Sequence, residues 1–304
     1  MNNPNQTAVL LLAHGSPDSP EQVPEFLLRV TGGRPLPPEV VKEVQHRYAL
    51  IGQSPLTRLT LKQGELLARQ LRLPVYVGMR NWKPFIADAV RNMMDDRIHH
   101  VIAICLAPHN SRTSVGLYRS ALNSTQHPFD VEFVESWHDH PLLIKAFAEK
   151  LRAGWERACT GMNVKVPIIL TAHSVPQRTI MEGDPYENQA KETASSAARE
   201  SSLAPEDWKF AFQSQGMSGG VWLGPTVEAT ILELRKKDHR AVFIQPIGFL
   251  CDHVEVLYDI DIGFKQFAEK EGMRLWRAES LNDSPWLISA LADIAKARLK
   301  ARVL

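Results

Sequence analysis

Short apolar runs alternate with longer amphipathic stretches along most of the chain. Such runs are typical of strands buried on both faces of a parallel sheet, whereas apolar positions recurring every three or four residues predict helices. The pattern predicts eight strands, at residues 8–13, 75–79, 101–106, 131–134, 167–172, 209–213, 241–246 and 274–277. It predicts helices at residues 19–30, 57–70, 85–95, 141–157, 226–236 and 284–302. This alternation predicts an α/β fold.

The eight predicted strands divide into two similar halves. One half opens with an apolar strand that ends in Ala-His at His14, and the other with a strand that ends in Ala-His at His173. These histidines are 159 residues apart in a chain of 304 residues. We therefore predict α/β halves at residues 1–160 and 161–304, each with a four-stranded parallel sheet flanked by helices. Ligands of such sheets bind beyond the carboxyl ends of the strands, which predicts a site in a cleft between the halves.

Composition and charge exclude several classes of function. Lys and Arg total 35 against 34 Asp and Glu, a net charge of +1, so no global field favours nucleic acid. The longest apolar run, residues 101–107, is far shorter than the roughly 20 residues of a membrane span. Residues 1–7 lack the positive charge of a signal peptide. Cys105, Cys159 and Cys251 form no CxxC pair, which favours a cytoplasmic protein without a disulfide framework. No feature indicates a dimer, so we expect a monomer.

A histidine and three carboxylates are the first candidates for chemistry. His173 ends a predicted strand, and Asp252, Glu255 and Asp259 follow another strand at positions that would share one face of a helix. Histidine with carboxylates and without thiolates suits a divalent cation such as Fe²⁺. Two alternatives stay open at this point, namely a histidine satisfied in a strand-end turn and a solvated acidic helix face.

Other candidate residues lie in the first half. His14 and His109 follow predicted strands and are metal ligands, proton acceptors or, as we favour from type alone, core histidines. Arg47, Tyr48 and Ser54 share one short string in which Arg and Ser can bind carboxylates and Tyr can cover an aromatic ring. An ordinary helix cap at Ser54 is the alternative. The sequence contains no dinucleotide-binding GxGxxG after a strand, no phosphate-binding P-loop and no GxSxG nucleophile motif.

Taken together, the polar strings resemble those of the ferrochelatase family, whose members insert ferrous iron into a porphyrin. The matching strings are residues 48–56, 78–85, 170–176, 183–186, 212–214, 222–225 and 246–259. They occur in the family's order and the resemblance extends over about residues 8–300. It implies the chelatase fold, in which two Rossmann-like halves surround a porphyrin cleft.

The resemblance also implies roles for individual residues. His173 and Glu255 would be catalytic and would hold or pass Fe²⁺ over the centre of the macrocycle. The expected porphyrin contacts are His14, Arg47, Tyr48, Ser54 and Tyr118. Fe²⁺ would be a substrate, with no permanently bound cofactor and no [2Fe–2S] cluster, because no cysteine follows Cys251. The string 106–118 is similar to that of the bacterial branch that uses coproporphyrin III, so we expect this porphyrin as the substrate in haem biosynthesis.

Several positions depart from the family pattern. His14 stands where the coproporphyrin branch commonly has a tyrosine, and the string before Ser54 is one residue shorter than usual. Gly263 replaces a third carboxylate, and Gly32 stands where relatives often carry an arginine. The alternatives are therefore a protoporphyrin IX ferrochelatase, a chelatase for another metal or tetrapyrrole, and a non-catalytic haem or porphyrin carrier with His14 as an axial ligand.

Overall fold

A computed structural model describes residues 6–215 and 220–301, and two four-stranded parallel sheets organise them. The strands are β1 (Thr7–Ala13), β2 (Val75–Met79), β3 (His100–Cys105), β4 (Asp130–Val134), β5 (Ile168–His173), β6 (Trp208–Gln213), β7 (Ala241–Pro246) and β8 (Arg274–Arg277). Every predicted strand is present, with each end within one residue of its predicted position. The predicted α/β fold with two four-stranded sheets is thus confirmed.

Helices occupy most of the remaining chain. They are α1 (Val23–Val30), α2 (Pro38–Ile51), α3 (Leu56–Leu71), α4 (Ile86–Asp95), α5 (Val115–Asn123), α6 (Pro141–Met162), α7 (Gln177–Met181), α8 (Tyr186–Glu200), α9 (Val227–Lys236), α10 (Val254–Leu257), α11 (Lys265–Lys270) and α12 (Pro285–Ala301). Proline is the first residue of α2, α6 and α12, where its missing N–H removes a donor that has no partner within a helix. The predicted helix at 19–30 is a 3₁₀ turn at Pro20–Gln22 followed by α1. Two parts of the sequence predictions lie outside the described residues: Arg302, the last residue of the predicted helix 284–302, and residues 1–5 of the stretch 1–7.

The two sheets share one strand order. It is β2-β1-β3-β4 in the first sheet and β6-β5-β7-β8 in the second, so β1 and β5 occupy the same inner position. His14 directly follows β1 and His173 is the last residue of β5. Residues Ala8 to Leu12 and Ile168 to Leu170 are fully buried, as expected for inner strands covered on both faces. Each sheet therefore carries one of the two histidines at the carboxyl end of its buried inner strand.

Contacts group the chain into two compact units. The first unit comprises the chain before His109, Arg112–Trp137 and the chain after Leu281, and the second comprises His109–Ser111 and His138–Leu281. Each predicted half, 1–160 and 161–304, contains its own sheet, but two helices lie with the sheet of the other half. Helix α6 contacts β7, β8 and α8, and helix α12 contacts α3 and β3. Both helices are long and bury one apolar face, so packing rather than chain order assigns them to a unit.

Candidate functional site

His173 projects from the carboxyl end of β5 and has a fixed ring orientation. Its Nδ1 donates a hydrogen bond to the backbone oxygen of Ser174. A carbonyl oxygen can only accept, so Nδ1 carries the proton and Nε2 of the neutral ring keeps its lone pair. The half-buried imidazole also meets the edge of the Phe249 ring, with ring centroids 6.3 Å apart. His173 is therefore oriented to accept a proton or a cation at Nε2.

Glu255 faces that nitrogen. Its Oε2 lies 3.7 Å from His173 Nε2, and its side chain projects from the first turn of α10. Gln213, on β6 beside His173, donates through Nε2 to the backbone oxygen of Glu255 at 3.1 Å. The predicted pairing of one imidazole with one carboxylate is thus present as a close contact between β5 and α10.

His253 is a third member of this group that sequence reasoning missed. Its Nε2 lies 3.9 Å from the same Glu255 oxygen, and its Nδ1 donates to the backbone oxygen of Cys251 at 2.9 Å. The Phe249 ring lies 4.5 Å from the His253 ring. Both imidazoles therefore use Nδ1 to anchor themselves on the backbone and direct Nε2 towards one carboxylate. His253 has an extended backbone just before α10 begins, so helical spacing does not describe its position relative to Glu255.

Tyr186 stabilises the carboxyl end of β5 through a hydrogen bond to its backbone. Its buried hydroxyl donates to the backbone oxygen of His173 at 2.9 Å. Burial first, and then the nearby charge of Glu255, raise the pKa of Tyr186 well above its ordinary value. The phenol therefore stays neutral and remains a hydrogen-bond donor at every physiological pH.

The predicted stripe of three carboxylates on one helix face is wrong. Asp252 precedes α10 and accepts a hydrogen bond from the Ser280 hydroxyl at 2.7 Å. Asp259 begins a π-helix, Asp259–Phe264, and accepts from Ser214. Asp252 is excluded from a shared helix face because the helix begins only at Val254, and the backbone widens into a π-helix from Asp259. No cluster of three or more His, Cys, Asp or Glu side chains suited to a metal ion occurs among the residues that the structure describes.

His109 has a structural environment within the second unit. Its ring is buried and its Nε2 lies 2.9 Å from the Thr193 hydroxyl, which in turn donates to the backbone oxygen of His138 at 2.8 Å. Burial, with a smaller effect of His138, lowers the pKa of His109 to about 3. His109 is therefore a neutral core histidine, the alternative that residue type alone favours.

His14 is the counterpart of His173 in the first unit, with different neighbours. Its exposed ring follows β1, and the buried Asn81 places Nδ2 3.2 Å from Nδ1 and 3.3 Å from Nε2 of that ring. The Phe26 ring meets it edge-on at 5.8 Å. The neighbour shown at this strand end is thus a neutral amide, where His173 has the carboxylate of Glu255.

The remaining predicted contacts also lie in the first unit. The buried Tyr48 hydroxyl is 3.0 Å from the Ser16 hydroxyl, and Arg47 pairs with Glu43 at 3.0 Å. Ser54 is 3% exposed, and its hydroxyl has no hydrogen-bond partner within the described chain. Such an orphaned buried hydroxyl is one that a ligand atom can satisfy.

Arg80 is a further cation of the first unit that sequence reasoning missed, although it lies in the matching string 78–85. It directly follows β2, and its backbone N–H donates to the oxygen of Ala13 at 2.9 Å. Burial lowers the pKa of the half-buried Arg80, and the buried Tyr118 acts in the opposite direction. Within the described ranges its guanidinium has no ion pair or hydrogen bond, so it is available to bind a carboxylate.

Comparisons with known proteins give one family. The family model described as "Ferrochelatase" matches residues 6–299. The chain is 53% identical to a ferrochelatase of Acidobacterium capsulatum, over 97% of this chain and 95% of that protein. It is 33% identical to a coproporphyrin III ferrochelatase of a Geobacillus species, over 96% of this chain and 97% of that protein.

Solved structures agree on the fold. SirB from Bacillus subtilis, in a structure with Fe³⁺, superposes with a TM-score of 0.58 at 12% identity, over 96% of this chain and 94% of that one. CbiX, described as the terminal enzyme of sirohaem biosynthesis in denitrifying bacteria, gives a TM-score of 0.54 at 11% identity, over 95% and 98% of the two chains. At these identities the likeness extends to the fold alone. In the described part of the protein, no helix has the length and apolar character needed to cross a membrane.

Proposed function

This chain belongs to the ferrochelatase family of haem-biosynthetic enzymes, which insert iron into a porphyrin, and we propose that its own substrates are Fe²⁺ and coproporphyrin III. The observation that carries the proposal is the close approach of one imidazole and one carboxylate, His173 Nε2 and Glu255 Oε2, at 3.7 Å. Insertion requires a group that accepts pyrrole protons and a group that holds a cation. The two side chains supply both.

His173 is the proposed proton acceptor. A porphyrin loses two pyrrole protons before the metal is held by four nitrogens, and Nε2 of His173 carries a lone pair because Nδ1 is committed to Ser174. Once protonated, His173 is stabilised by Glu255 at 3.7 Å. Coulomb's law gives about 1 kcal/mol for this attraction in a water-like medium and about 4 kcal/mol at an effective dielectric constant near 20. Because a third of each side chain is exposed, we expect a value towards the lower end.

Glu255 is the proposed cation holder. A carboxylate binds a partly dehydrated Fe²⁺ and releases it to the porphyrin nitrogens as those lose their protons. His253 adds a second imidazole at 3.9 Å from the same carboxylate oxygen, so a proton leaving the macrocycle has two acceptors near one negative charge. His173 and Glu255 thus remain the catalytic and metal-binding residues of the proposal.

The porphyrin contacts are proposed in the first unit. His14 would approach the metal side of the product, whereas Arg47, Tyr48, Ser54 and Tyr118 would contact the ring or its propionates. Arg80, whose guanidinium is available, would bind a further carboxylate. Coproporphyrin III carries four propionates instead of the two of protoporphyrin IX. It can therefore form more ion pairs and hydrogen bonds with these arginines and hydroxyls. Several relatives of this chain are named coproporphyrin III ferrochelatases, which supports the same choice.

The decisive experiment compares substrates. Purified protein is assayed anaerobically for Fe²⁺ insertion into coproporphyrin III, protoporphyrin IX and sirohydrochlorin, and product formation is followed by absorbance. We expect the highest kcat/KM with coproporphyrin III. A preference for protoporphyrin IX would replace the proposed substrate, turnover of sirohydrochlorin alone would identify another tetrapyrrole chelatase, and tight haem binding without turnover would identify a carrier.

Two variants test the proposed roles. His173→Ala should abolish insertion while porphyrin binding, measured by fluorescence quenching, stays within about twofold of wild type, because the deleted ring acts on protons rather than propionates. Glu255→Gln keeps the shape of the side chain and removes its charge, and should lower kcat by roughly 10- to 1000-fold. Normal turnover in either variant would remove that residue from the mechanism.

Location and assembly complete the proposal. The balanced charge and scattered cysteines support a cytoplasmic protein, and we propose that it acts as a monomer with no permanently bound cofactor and no [2Fe–2S] cluster. Size-exclusion chromatography with light scattering tests the monomer. Iron and acid-labile sulfide analysis of protein as purified tests the cluster.

A further inference from the structure

One arginine holds both ends of the segment that carries Glu255. Arg277, the last residue of β8, donates from Nε to Asp261 Oδ1 at 2.6 Å and from Nη2 to Asp261 Oδ2 at 2.9 Å. Its Nη1 lies 3.3 Å from Asp252 Oδ1 and donates to the backbone oxygen of Ala278 at 2.8 Å. A single guanidinium thus contacts Asp252, just before α10, and Asp261, inside the following π-helix.

The residues between these two aspartates are those of the proposed metal site. His253 directly follows Asp252, and Glu255 lies six residues before Asp261. Glu255 lies in the first turn of the helical stretch, because α10 spans Val254–Leu257 and continues into the π-helix. The first turn of a helix has no preceding turn to satisfy its N–H groups, so its position depends on tertiary contacts.

The contact between Arg277 and Asp261 has a geometry that requires a guanidinium group. Two parallel N–H···O bonds between a guanidinium and a carboxylate fix distance and angle together, which a single ammonium group does not do. Only 15% of the Arg277 side chain is exposed, against 21% of Asp252 and 36% of Asp261, so the guanidinium is shielded from water better than either partner. Ser280 donates to Asp252 from the residues that follow β8. The end of β8 therefore fixes Asp252 through two different side chains.

We propose that Arg277 is a positioning residue for iron insertion, acting by clamping Asp252 and Asp261 so that Glu255 and His253 stay facing His173. The inference rests on the proposed roles of Glu255 and His173. Arg277 itself does not touch the substrates in this proposal. Its loss should therefore lower the rate of insertion much more than the affinity for porphyrin.

The experiment combines variants of both residues. Arg277→Met should lower kcat for Fe²⁺ insertion by about tenfold or more, with KM for porphyrin within about twofold. Arg277→Lys keeps a cation that can pair with one carboxylate at a time, and should restore part of the lost kcat. In a Glu255→Gln background, single-turnover rates should change by less than about twofold on adding Arg277→Met, since the group being positioned has already lost its charge.

Matched controls separate positioning from general damage. Arg274→Met makes the same change at an exposed position of the same strand, where the guanidinium stacks on Trp276 at 4.3 Å, and should leave kcat unchanged. Asp261→Asn removes one end of the clamp and keeps Arg277, so it gives the same test if Arg277→Met does not fold. Folded Arg277→Met and Asp261→Asn proteins with wild-type kcat, or equal losses in the presence and absence of the Glu255 charge, would overturn the clamp. An inactive wild-type protein would overturn the proposed function instead.

Discussion

Replacing Gly248 by alanine should displace the strand end that carries His173. A methyl group at this position would lie 3.0 Å from both Cα and Cβ of Ala172 and 3.4 Å from the backbone nitrogen of His173. Carbon atoms in contact normally stay about 3.5–4.0 Å apart, so the two segments must separate by roughly 0.5–1 Å. The segments are tied together nearby, because Ile247 N donates to the Thr171 oxygen at 2.8 Å. Relief of the overlap must therefore move the end of β5.

The structure sets the size of the expected effect. Overpacking of this kind costs about 1–3 kcal/mol of unfolding free energy, and a misplacement near 1 Å can reduce a catalytic rate by about 100-fold. For Gly248→Ala we expect kcat for Fe²⁺ insertion to fall by roughly 10- to 100-fold. KM for the porphyrin should change little, because the proposed porphyrin contacts lie in the first unit.

Steady-state kinetics and thermal unfolding of two variants give the test. Gly263→Ala is the matched control, since its new methyl group would lie 3.7 Å from the nearest atom, the backbone oxygen of Tyr258, an ordinary contact distance. The control should keep wild-type kcat and melting temperature. The reasoning is refuted if Gly248→Ala also keeps both, or if the two variants lose activity to the same extent.

Three further changes probe other parts of the molecule. Tyr186→Phe removes the donor to the backbone oxygen of His173, so unfolding free energy should fall by about 1 kcal/mol in urea titrations; unchanged stability would show that this bond is dispensable. Arg80→Gln should raise KM for coproporphyrin III by about tenfold with little change in kcat, since a charged hydrogen bond to carboxylate contributes about 1.5–3 kcal/mol; an unaltered KM would exclude Arg80 from binding. His109 has a pKa lowered to about 3 in the folded protein, so below its unfolded value near 6.5 only the unfolded chain gains its proton. Stability should therefore fall by up to about 1.4 kcal/mol per unit as pH drops from 6.5 towards 3, and His109→Gln should show a smaller slope in unfolding measurements across that range.

Most of the sheet was predictable from the sequence because buried parallel strands leave a strong local signal. The strand at 241–246, for example, is entirely buried and coincides with β7. Helices with weak apolar stripes were harder to predict from the sequence. Helix α2 begins at Pro38, inside a stretch whose prolines and glycines favour a loop, and α8 buries mainly alanines, whose periodicity is faint.

The candidate site was predictable only in part, for a different reason. The pairing of His173 with Glu255 follows from the resemblance of short strings around each residue, and the structure places the two side chains together. The partners of Asp252 could not be predicted locally, because Arg277 and Ser280 follow it by 25 and 28 residues. Those distant contacts hold Asp252 outside the helix. The prediction that Asp252, Glu255 and Asp259 share one helix face depended on a regular helix that already includes Asp252.

The exchange of α6 and α12 between the two predicted halves has a consequence for synthesis on the ribosome. All four strands of the first sheet are translated before residue 135, whereas α12, which contacts α3 and β3, comes 150 residues after β4 ends. At the roughly 5–20 residues per second of translation, the nascent amino-terminal sheet waits many seconds with that surface uncovered. That surface is covered only when α12 emerges, so the first sheet completes its packing after all four strands of the second sheet have been synthesised.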